Sequence, residues 1–194
     1  RQSWDAAPDV WDGRIAADRI RQLPSRWDDG SWRLRILRDY DEYILHLPMD
    51  SDFTDGITPT AAQLSFLKQL KKDRPDAAIR LSLLGHSVDF LPVSSDEDDR
   101  RAFSAYLAGL CIDTGLDGID LDWEFTSAPR EDEVRAITAL ASDLQAMLPP
   151  ETVLSAAVSR WRLPGTEFFD ALDAVHLMAY DGYGKHSTYE GAVA

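Results

Sequence analysis

Short apolar runs typical of β-strands alternate along this chain with longer stretches whose apolar residues recur at helical spacing. Strands are predicted at residues 43–47, 79–84, 119–124, 153–158 and 175–180. Helices are predicted between them: the first begins near Thr58–Thr60, the second is capped at Ser94–Asp96, and the third is ended by Pro149 and Pro150. Strands separated by helices pair in parallel through right-handed crossovers, so an α/β fold is expected.

Two architectures fit this alternation, a doubly wound open sheet and a barrel of eight βα units. No glycine-rich turn of the dinucleotide-binding kind follows any predicted strand, which counts against the first. Polar groups at the carboxyl ends of three different strands suit the barrel, because barrel active sites lie at that end. The predicted fold class is therefore α/β, of the (β/α)8 TIM-barrel type.

The predicted barrel is incomplete, since a complete one takes about 250 residues and this chain has 194. Five strands are predicted, and residues 33–37 could form a sixth, an edge helix or an altered first unit. We expect residues 42–194 to form a partial barrel catalytic domain that lacks the last two units. Residues 1–41 are interpreted as an N-terminal segment, with an irregular first βα unit as one alternative. An open barrel edge is expected to self-associate unless another molecule covers it.

The most informative segment is residues 117–124, which read Asp-Gly-Ile-Asp-Leu-Asp-Trp-Glu. Asp120, Asp122 and Glu124 alternate with large apolar residues, so in a strand all three carboxylates point to one face. Neighbouring carboxylates are expensive to bury unless they share protons or hydrogen bonds. This arrangement therefore predicts a site of chemistry. Asp117 and Gly118 are expected to precede the strand and to form a turn.

Composition narrows the classes of partner. Acidic residues outnumber basic ones by 34 to 20, for a net charge of -14. Nucleic acids and anionic membrane surfaces reward clustered Lys and Arg, so neither is expected as a partner. Cys111 is the only cysteine, which excludes an internal disulfide and a thiolate metal site. Its helical spacing with Phe103, Leu107 and Leu110 predicts a core position. No cofactor is expected.

Residues 117–124 resemble the fourth-strand signature of family 18 glycoside hydrolases, the chitinases and their relatives. Residues 178–181, Met-Ala-Tyr-Asp, look like the sixth-strand motif of that family. Residues 82–85 are similar to its third-strand motif, although Leu84 stands where the family usually has glycine. The resemblance spans roughly residues 42–190, with the motifs in family order.

The resemblance implies a hydrolase of β-1,4-linked N-acetylglucosamine that works by substrate-assisted, retaining catalysis. Glu124 would be the general acid and later the base, Asp122 would orient the acetamido N–H, and Asp120 would share a proton with Asp122. Tyr180 would donate its hydroxyl to the acetamido carbonyl, and Asp181 would line the same mouth. Met178 is expected to form the floor of the sugar pocket. Trp161 follows the predicted strand at residues 153–158 and either stacks on a sugar ring or, as is commoner for loop tryptophans, packs within the protein.

Other interpretations remain open at this point. The acidic strand could face solvent, or its carboxylates could hold Mg²⁺. His176 shares the inward face with Met178 and Tyr180 and is more often a hydrogen-bonded core histidine than a participant. Ser82 either supports the carboxylates or is an ordinary buried hydroxyl. Among functions, release of N-glycans by an endo-β-N-acetylglucosaminidase and sugar binding by a catalytically silent chitinase-like protein are the alternatives. The intact Glu124 counts against the silent protein.

Overall fold

The structure is a computed structural model that describes residues 21–22, 35–36, 42–48, 61–159 and 162–179. Its strands are β1 (Arg21–Gln22), β2 (Arg35–Ile36), β3 (Glu42–Pro48), β4 (Ala78–Gly85), β5 (Gly118–Trp123), β6 (Val153–Val158) and β7 (Ala174–Leu177). Its helices are α1 (Ala61–Asp73), α2 (Ser87–Ser94), α3 (Glu97–Thr114), α4 (Glu131–Met147) and α5 (Thr166–Asp170). No helix among these residues is long and apolar enough to cross a membrane.

The main sheet has the strand order β3-β4-β5-β6-β7, and the pairs from β4 to β7 are all parallel. The predicted strand-helix alternation and parallel pairing are therefore confirmed for this part of the chain. Within residues 33–37, the described pair Arg35–Ile36 is extended and pairs antiparallel with Arg21–Gln22. In sequence, the two short strands lack the apolar run that parallel strands need in order to be buried on both faces.

Two compact units divide the described elements. Strands β1 and β2 and helix α1 lie in one unit, whereas β4–β7 and α2–α5 lie in the other. All the described residues of the candidate site belong to the second unit. The predicted boundary after residue 41 stays a prediction.

Helix α3 shows why the amphipathic pattern gives this fold. Asp96 caps it, with Oδ1 accepting the amide of Asp98 at 2.9 Å, and Gly115 ends it in the left-handed conformation at φ 73°. Its apolar stripe is buried, and Cys111 is part of that core as predicted. Arg100 of α3 forms a 2.8 Å ion pair with Asp143 of α4, which joins the polar edges of the two helices.

Aspartates just before β5 and β7 fasten the amino ends of the neighbouring strands. The Asp117 carboxylate accepts the amide of Ile79 at 2.8 Å, and the Asp173 carboxylate accepts the amide of Leu154 at the same distance. The backbone N–H of each aspartate donates back to the same residue's carbonyl. Asp117 is therefore structural, as the sequence suggested.

Gly118 was predicted to form a turn before the strand, and that prediction is wrong. It is the first residue of β5, and it is buried. A Cβ at this position would lie 2.3 Å from the Val153 carbonyl oxygen and 2.6 Å from Cγ of Arg80. Close approach to both neighbouring strands therefore requires glycine here.

Helix α2 was not predicted from the sequence. It contains Pro92, a residue that weakens a helical pattern because its ring removes a backbone donor. The helix begins after His86, whose backbone N–H donates to the buried Asp89 carboxylate at 2.8 Å. This local hydrogen bond satisfies a backbone donor at the start of the helix that has no partner within the helix, so a short helix forms despite the proline.

Candidate active site

The three carboxylates of β5 occupy the positions that strand alternation predicts. Asp120 and Asp122 are buried, with 2% and 4% of their surface exposed. Glu124 is half-buried and follows the last strand residue, Trp123. The series therefore runs from the interior of the sheet to its carboxyl end, and the solvent-exposed acidic edge considered above is excluded for Asp120 and Asp122.

Asp120 lies between two serine hydroxyls donated by the strands on either side. Ser82 Oγ of β4 donates to Oδ2 at 2.8 Å, and Ser155 Oγ of β6 donates to Oδ1 at 2.6 Å. All three side chains are buried, and the register places Asp120 opposite both serines. Because each carboxylate oxygen receives a hydroxyl donor, the cost of burying this group is partly offset. Ser82 therefore does support the acidic cluster, and Ser155 is a supporting residue that the sequence analysis missed.

His176 of β7 reaches towards the same carboxylate. Its Nε2 lies 3.9 Å from Asp120 Oδ1, beyond hydrogen-bonding distance, and 38% of its side chain is exposed. Within the part of the chain that the structure describes, Nε2 has no hydrogen-bond partner. The interpretation of His176 as a hydrogen-bonded core histidine therefore stays a prediction. The side chain borders the acidic cluster from the last described strand of the sheet.

The backbone of Glu124 is held from the neighbouring strand β4. Its N–H donates to the Gly85 carbonyl at 2.8 Å, which extends the β4–β5 ladder by one residue. Its carbonyl oxygen lies 2.7 Å from Nδ1 of His86. On the other side, Arg162 Nη1 donates to the carbonyl of Phe125. The segment that carries Glu124 is therefore bonded to residues that follow both β4 and β6.

Aromatic packing fixes the same segment from the opposite face. The Trp123 ring stacks on Phe90 of α2 at a centroid distance of 4.7 Å and on Phe125 at 5.4 Å. Its indole N–H donates to Ser87 Oγ at 3.1 Å. Because successive side chains alternate, Trp123 and Phe125 point to one face and Glu124 to the other.

Leu84 is the departure from the third-strand motif, and it is half-buried on β4. Its register partner is Asp122, and Ser82, two residues earlier, faces Asp120. Alternation along β4 therefore puts Leu84 on the same face as the carboxylates, at the open end of the sheet.

The remaining predicted site residues fall into two groups. Met178 lies directly after β7, and its backbone N–H donates to Val158 at 2.8 Å. The strand was predicted to reach residue 180 but ends at Leu177, because the Ala179 N–H turns back to the Leu177 carbonyl. Trp161, Tyr180 and Asp181 lie outside the described residues, so their roles stay predictions.

Two further observations bear on the chemistry available to this site. Among the described residues, no three His, Cys, Asp or Glu side chains converge in a way that could hold a metal ion.

Burial, assisted by the negative charge of Asp117, raises the pKa of the Cys111 thiol to about 12. A thiol protonated to that degree is a poor nucleophile at neutral pH.

Comparison with known proteins agrees with the geometry. Residues 41–194 match the family model described as glycosyl hydrolases family 18. Chitinase 1 of Aphanocladium album is 30% identical over an alignment 166 positions long that covers 78% of this chain. The match covers 39% of that relative, so this chain spans about two fifths of its length.

Solved structures show the same fold. A chitinase from Bacteroides thetaiotaomicron superposes with a TM-score of 0.60 at 18% identity, covering 77% of this chain and 59% of the other. A mutant chitinase of Cycas revoluta, determined in complex with (GlcNAc)4, gives a TM-score of 0.60 at 20% identity, covering 75% of this chain and 49% of the other. The sheet described above corresponds to part of their (β/α)8 barrel. The chain is therefore a member of glycosyl hydrolases family 18.

Proposed function

We propose that this chain carries the catalytic acid of a glycosidase that cleaves β-1,4-linked N-acetylglucosamine in chitin or its oligosaccharides. The observation that carries the proposal is the graded acidic series of β5. Asp120 is buried and hydrogen-bonded by two serines, Asp122 is buried one step outward, and Glu124 is half-buried at the strand end. Family membership supplies the reaction class.

Glu124 has the position that a general acid requires. It is the outermost and most exposed of the three carboxylates, so a glycosidic oxygen at the mouth of the sheet can approach it most directly. In the proposed first step, the acetamido carbonyl oxygen attacks its own anomeric carbon as the glycosidic C–O bond breaks, and Glu124 gives its proton to the departing oxygen. In the second step, the Glu124 carboxylate takes a proton from the water that opens the oxazolinium ring.

Asp122 would accept the acetamido N–H and thereby orient the carbonyl for attack. Its negative charge would also stabilise the positively charged oxazolinium intermediate, an effect that is stronger in a site shielded from water. Asp120 would share a proton with Asp122 from below, held in place by Ser82 and Ser155. Retention of anomeric configuration follows, because the anomeric carbon is inverted twice.

The remaining roles extend the proposal to the substrate. Tyr180 would donate to the acetamido carbonyl, Asp181 would line the mouth, Met178 would lie beneath the sugar, and Trp161 would stack on it. An N-acetylglucosamine oligomer is the proposed ligand, and the (GlcNAc)4 complex of the Cycas revoluta relative supports that choice. Self-association through the expected open edge of the barrel is also part of the proposal.

The test is hydrolysis of a fluorogenic chitotriose glycoside by the chain and by its Glu124→Gln variant. Gln keeps the shape of Glu but has no proton to give, so we expect turnover to fall on the order of a thousandfold or more, while oligosaccharide binding is retained. Glu151→Gln is the matched control, because Glu151 is exposed in the turn before β6. Undiminished turnover in the Glu124 variant would contradict the assignment of the acid. A chain without turnover that still folds would contradict the proposed activity of these 194 residues.

A further inference from the structure

We propose that His86 is a positioning residue for Glu124, a role that rests on the function proposed above. His86 immediately follows β4, and its Nδ1 lies 2.7 Å from the Glu124 carbonyl oxygen. A carbonyl oxygen can only accept a hydrogen bond, so Nδ1 carries the proton in this contact. The imidazole thus holds the main chain of the catalytic acid without engaging its carboxyl group through this bond.

The backbone of His86 is itself rigid, which makes it an effective support. Its N–H donates to the buried Asp89 carboxylate at 2.8 Å, and its carbonyl accepts the amides of Asp89 and Phe90 at 2.9 and 3.0 Å. His86 therefore joins the end of β4 to the first turn of α2. Its ring projects from a fixed point to the end of β5.

The contact comes where the regular ladder stops. The last backbone bond between the two strands is the donation from the Glu124 N–H to the Gly85 carbonyl. The Glu124 carbonyl lies beyond this bond, and the His86 side chain provides the donor there. Arg162 does the same for the carbonyl of Phe125 from the side of β6. Two consecutive carbonyls at the reacting end of β5 are thus bonded by side chains rather than by a neighbouring strand.

The hydrogen bond from His86 to the Glu124 carbonyl does something that the packing of the neighbouring aromatic rings does not do. Trp123 and Phe125 fix the segment on the face towards α2. These stacked rings hold the segment by packing and place no hydrogen bond on the Glu124 carbonyl. The hydrogen bond from His86 is directional. We infer that it sets the rotation of the peptide plane that contains the Glu124 carbonyl, and hence the direction of the Glu124 side chain.

The test compares two replacements of His86 in the full chain. Asn presents a side-chain N–H close to the place of Nδ1, whereas Leu has similar size and no donor. We expect His86→Leu to lower kcat by roughly ten- to a hundredfold, the cost of a displaced catalytic group, with little change in KM. His86→Asn is expected to recover most of the lost kcat. Arg162→Met should lower kcat less, and the double variant should deviate from the product of the single effects because both side chains hold one segment.

A second measurement does not depend on turnover. In His86→Leu the Glu124 N–H keeps its acceptor on Gly85, but the end of β5 should open more often because the adjacent Glu124 carbonyl has lost its bond. Hydrogen exchange of the Glu124 amide, followed by NMR, should therefore be faster by roughly fivefold to tenfold in His86→Leu and close to wild type in His86→Asn. The Leu121 amide, inside β5, is the internal reference and should not change.

The outcomes separate this proposal from the function on which it rests. Wild-type kcat and amide exchange in His86→Leu would overturn the positioning role. Equal losses of kcat and of thermal stability in the Leu and Asn variants would also overturn it, because they would indicate a merely structural residue. A wild-type chain without turnover would contradict the proposed function, and the exchange rates would still decide whether His86 holds Glu124.

Discussion

Ser155 donates its hydroxyl hydrogen to Asp120 from the neighbouring strand, with Oγ 2.6 Å from Oδ1. Both residues are buried, and Ser82 makes the equivalent bond from the other side. Three adjacent strands therefore meet at one carboxylate beneath the proposed catalytic acid. The support of the acidic cluster is shared by β4 and β6, and each half of it can be removed separately.

Ser155→Ala should be clearly destabilising. The substitution leaves a buried carboxylate oxygen without its donor, which costs about 1–3 kcal/mol. Urea unfolding of the variant measures this loss, and turnover should fall with it because Asp120 is free to shift. Ser142→Ala is the control: Ser142 is exposed and its hydroxyl bonds only the Thr138 carbonyl within α4. Equal stability of the two variants would contradict the importance of the Ser155–Asp120 bond.

Two glycine substitutions should have opposite effects. Gly118→Ala places a methyl group 2.3 Å from the Val153 carbonyl oxygen, so β5 and β6 must separate, at a cost of about 1–3 kcal/mol or more. Gly109 lies inside α3, and a methyl group added there would have no neighbouring atom within 4 Å, so Gly109→Ala should stabilise the chain by about 0.5–1 kcal/mol. Unfolding midpoints of the two variants give the comparison. A tolerated Gly118→Ala would show that the strands can move apart freely.

Cys111 should make stability fall as the solution becomes alkaline. Its pKa is about 12 in the folded chain, against 9.0 for the usual thiol. Above pH 9 the unfolded chain loses this proton while the folded chain keeps it, so the free energy of unfolding falls by at most about 1.4 kcal/mol per pH unit until the pH reaches the folded value. Burial also raises the pKa of Tyr106 above 10.0, which adds a slope of the same sign as the pH approaches 10, so a variant without the thiol is needed to isolate Cys111.

The measurement is the free energy of unfolding in urea at several pH values up to 10, for the wild type and for Cys111→Ala. The alanine variant should lose the part of the slope that the thiol causes. Iodoacetamide should react with the thiol only after unfolding. An identical slope in the two proteins would show that Cys111 ionises equally in both states.

Trp123→Leu should impair stability and turnover together. The indole ring is stacked between Phe90 and Phe125 and is 3% exposed, so its truncation should cost on the order of 2–4 kcal/mol. Glu124 is the next residue, and turnover should fall more than the loss of folded protein explains. Ile112→Ala is a suitable control, since Ile112 is 70% exposed and its truncation should change stability little. If activity falls only in proportion to the folded fraction, Trp123 stabilises the fold but does not position Glu124.

Strand alternation and amphipathic spacing predicted much of the described fold. The faces of Asp120 and Asp122, the parallel pairing and the cap at Asp96 follow from local rules that hold within a few residues. The ends of elements were less predictable: β7 stops at Leu177 because the next peptides turn back on themselves. Helix α2 was not predicted because a proline inside a segment, here Pro92, normally argues against a helix.

The supporting contacts of the site could not be predicted in the same way. Ser155 touches Asp120 only because β6 pairs with β5 in one particular register. His86 was not singled out, since one histidine after a strand has no distinctive pattern and its contact depends on how far β5 extends. The roles of Tyr180 and Asp181 came from the family resemblance, that of Trp161 came from its place after a predicted strand, and all three are still predictions. The family resemblance thus supplied the expected reaction, while the structure supplied the residues that support the acidic cluster.

The aspartates that bond the amino ends of the strands separate the residues that hold the sheet together from those at its carboxyl end, where the proposed catalytic acid lies. Asp117 and Asp173 bond the starts of β4 and β6, far along the strands from Glu124. Changes at the carboxyl ends, such as the leucine at position 84 or the loop after β6, leave these bonds untouched. Residues at the mouth of the sheet can therefore be replaced without breaking the hydrogen bonds that hold the amino ends of its strands together.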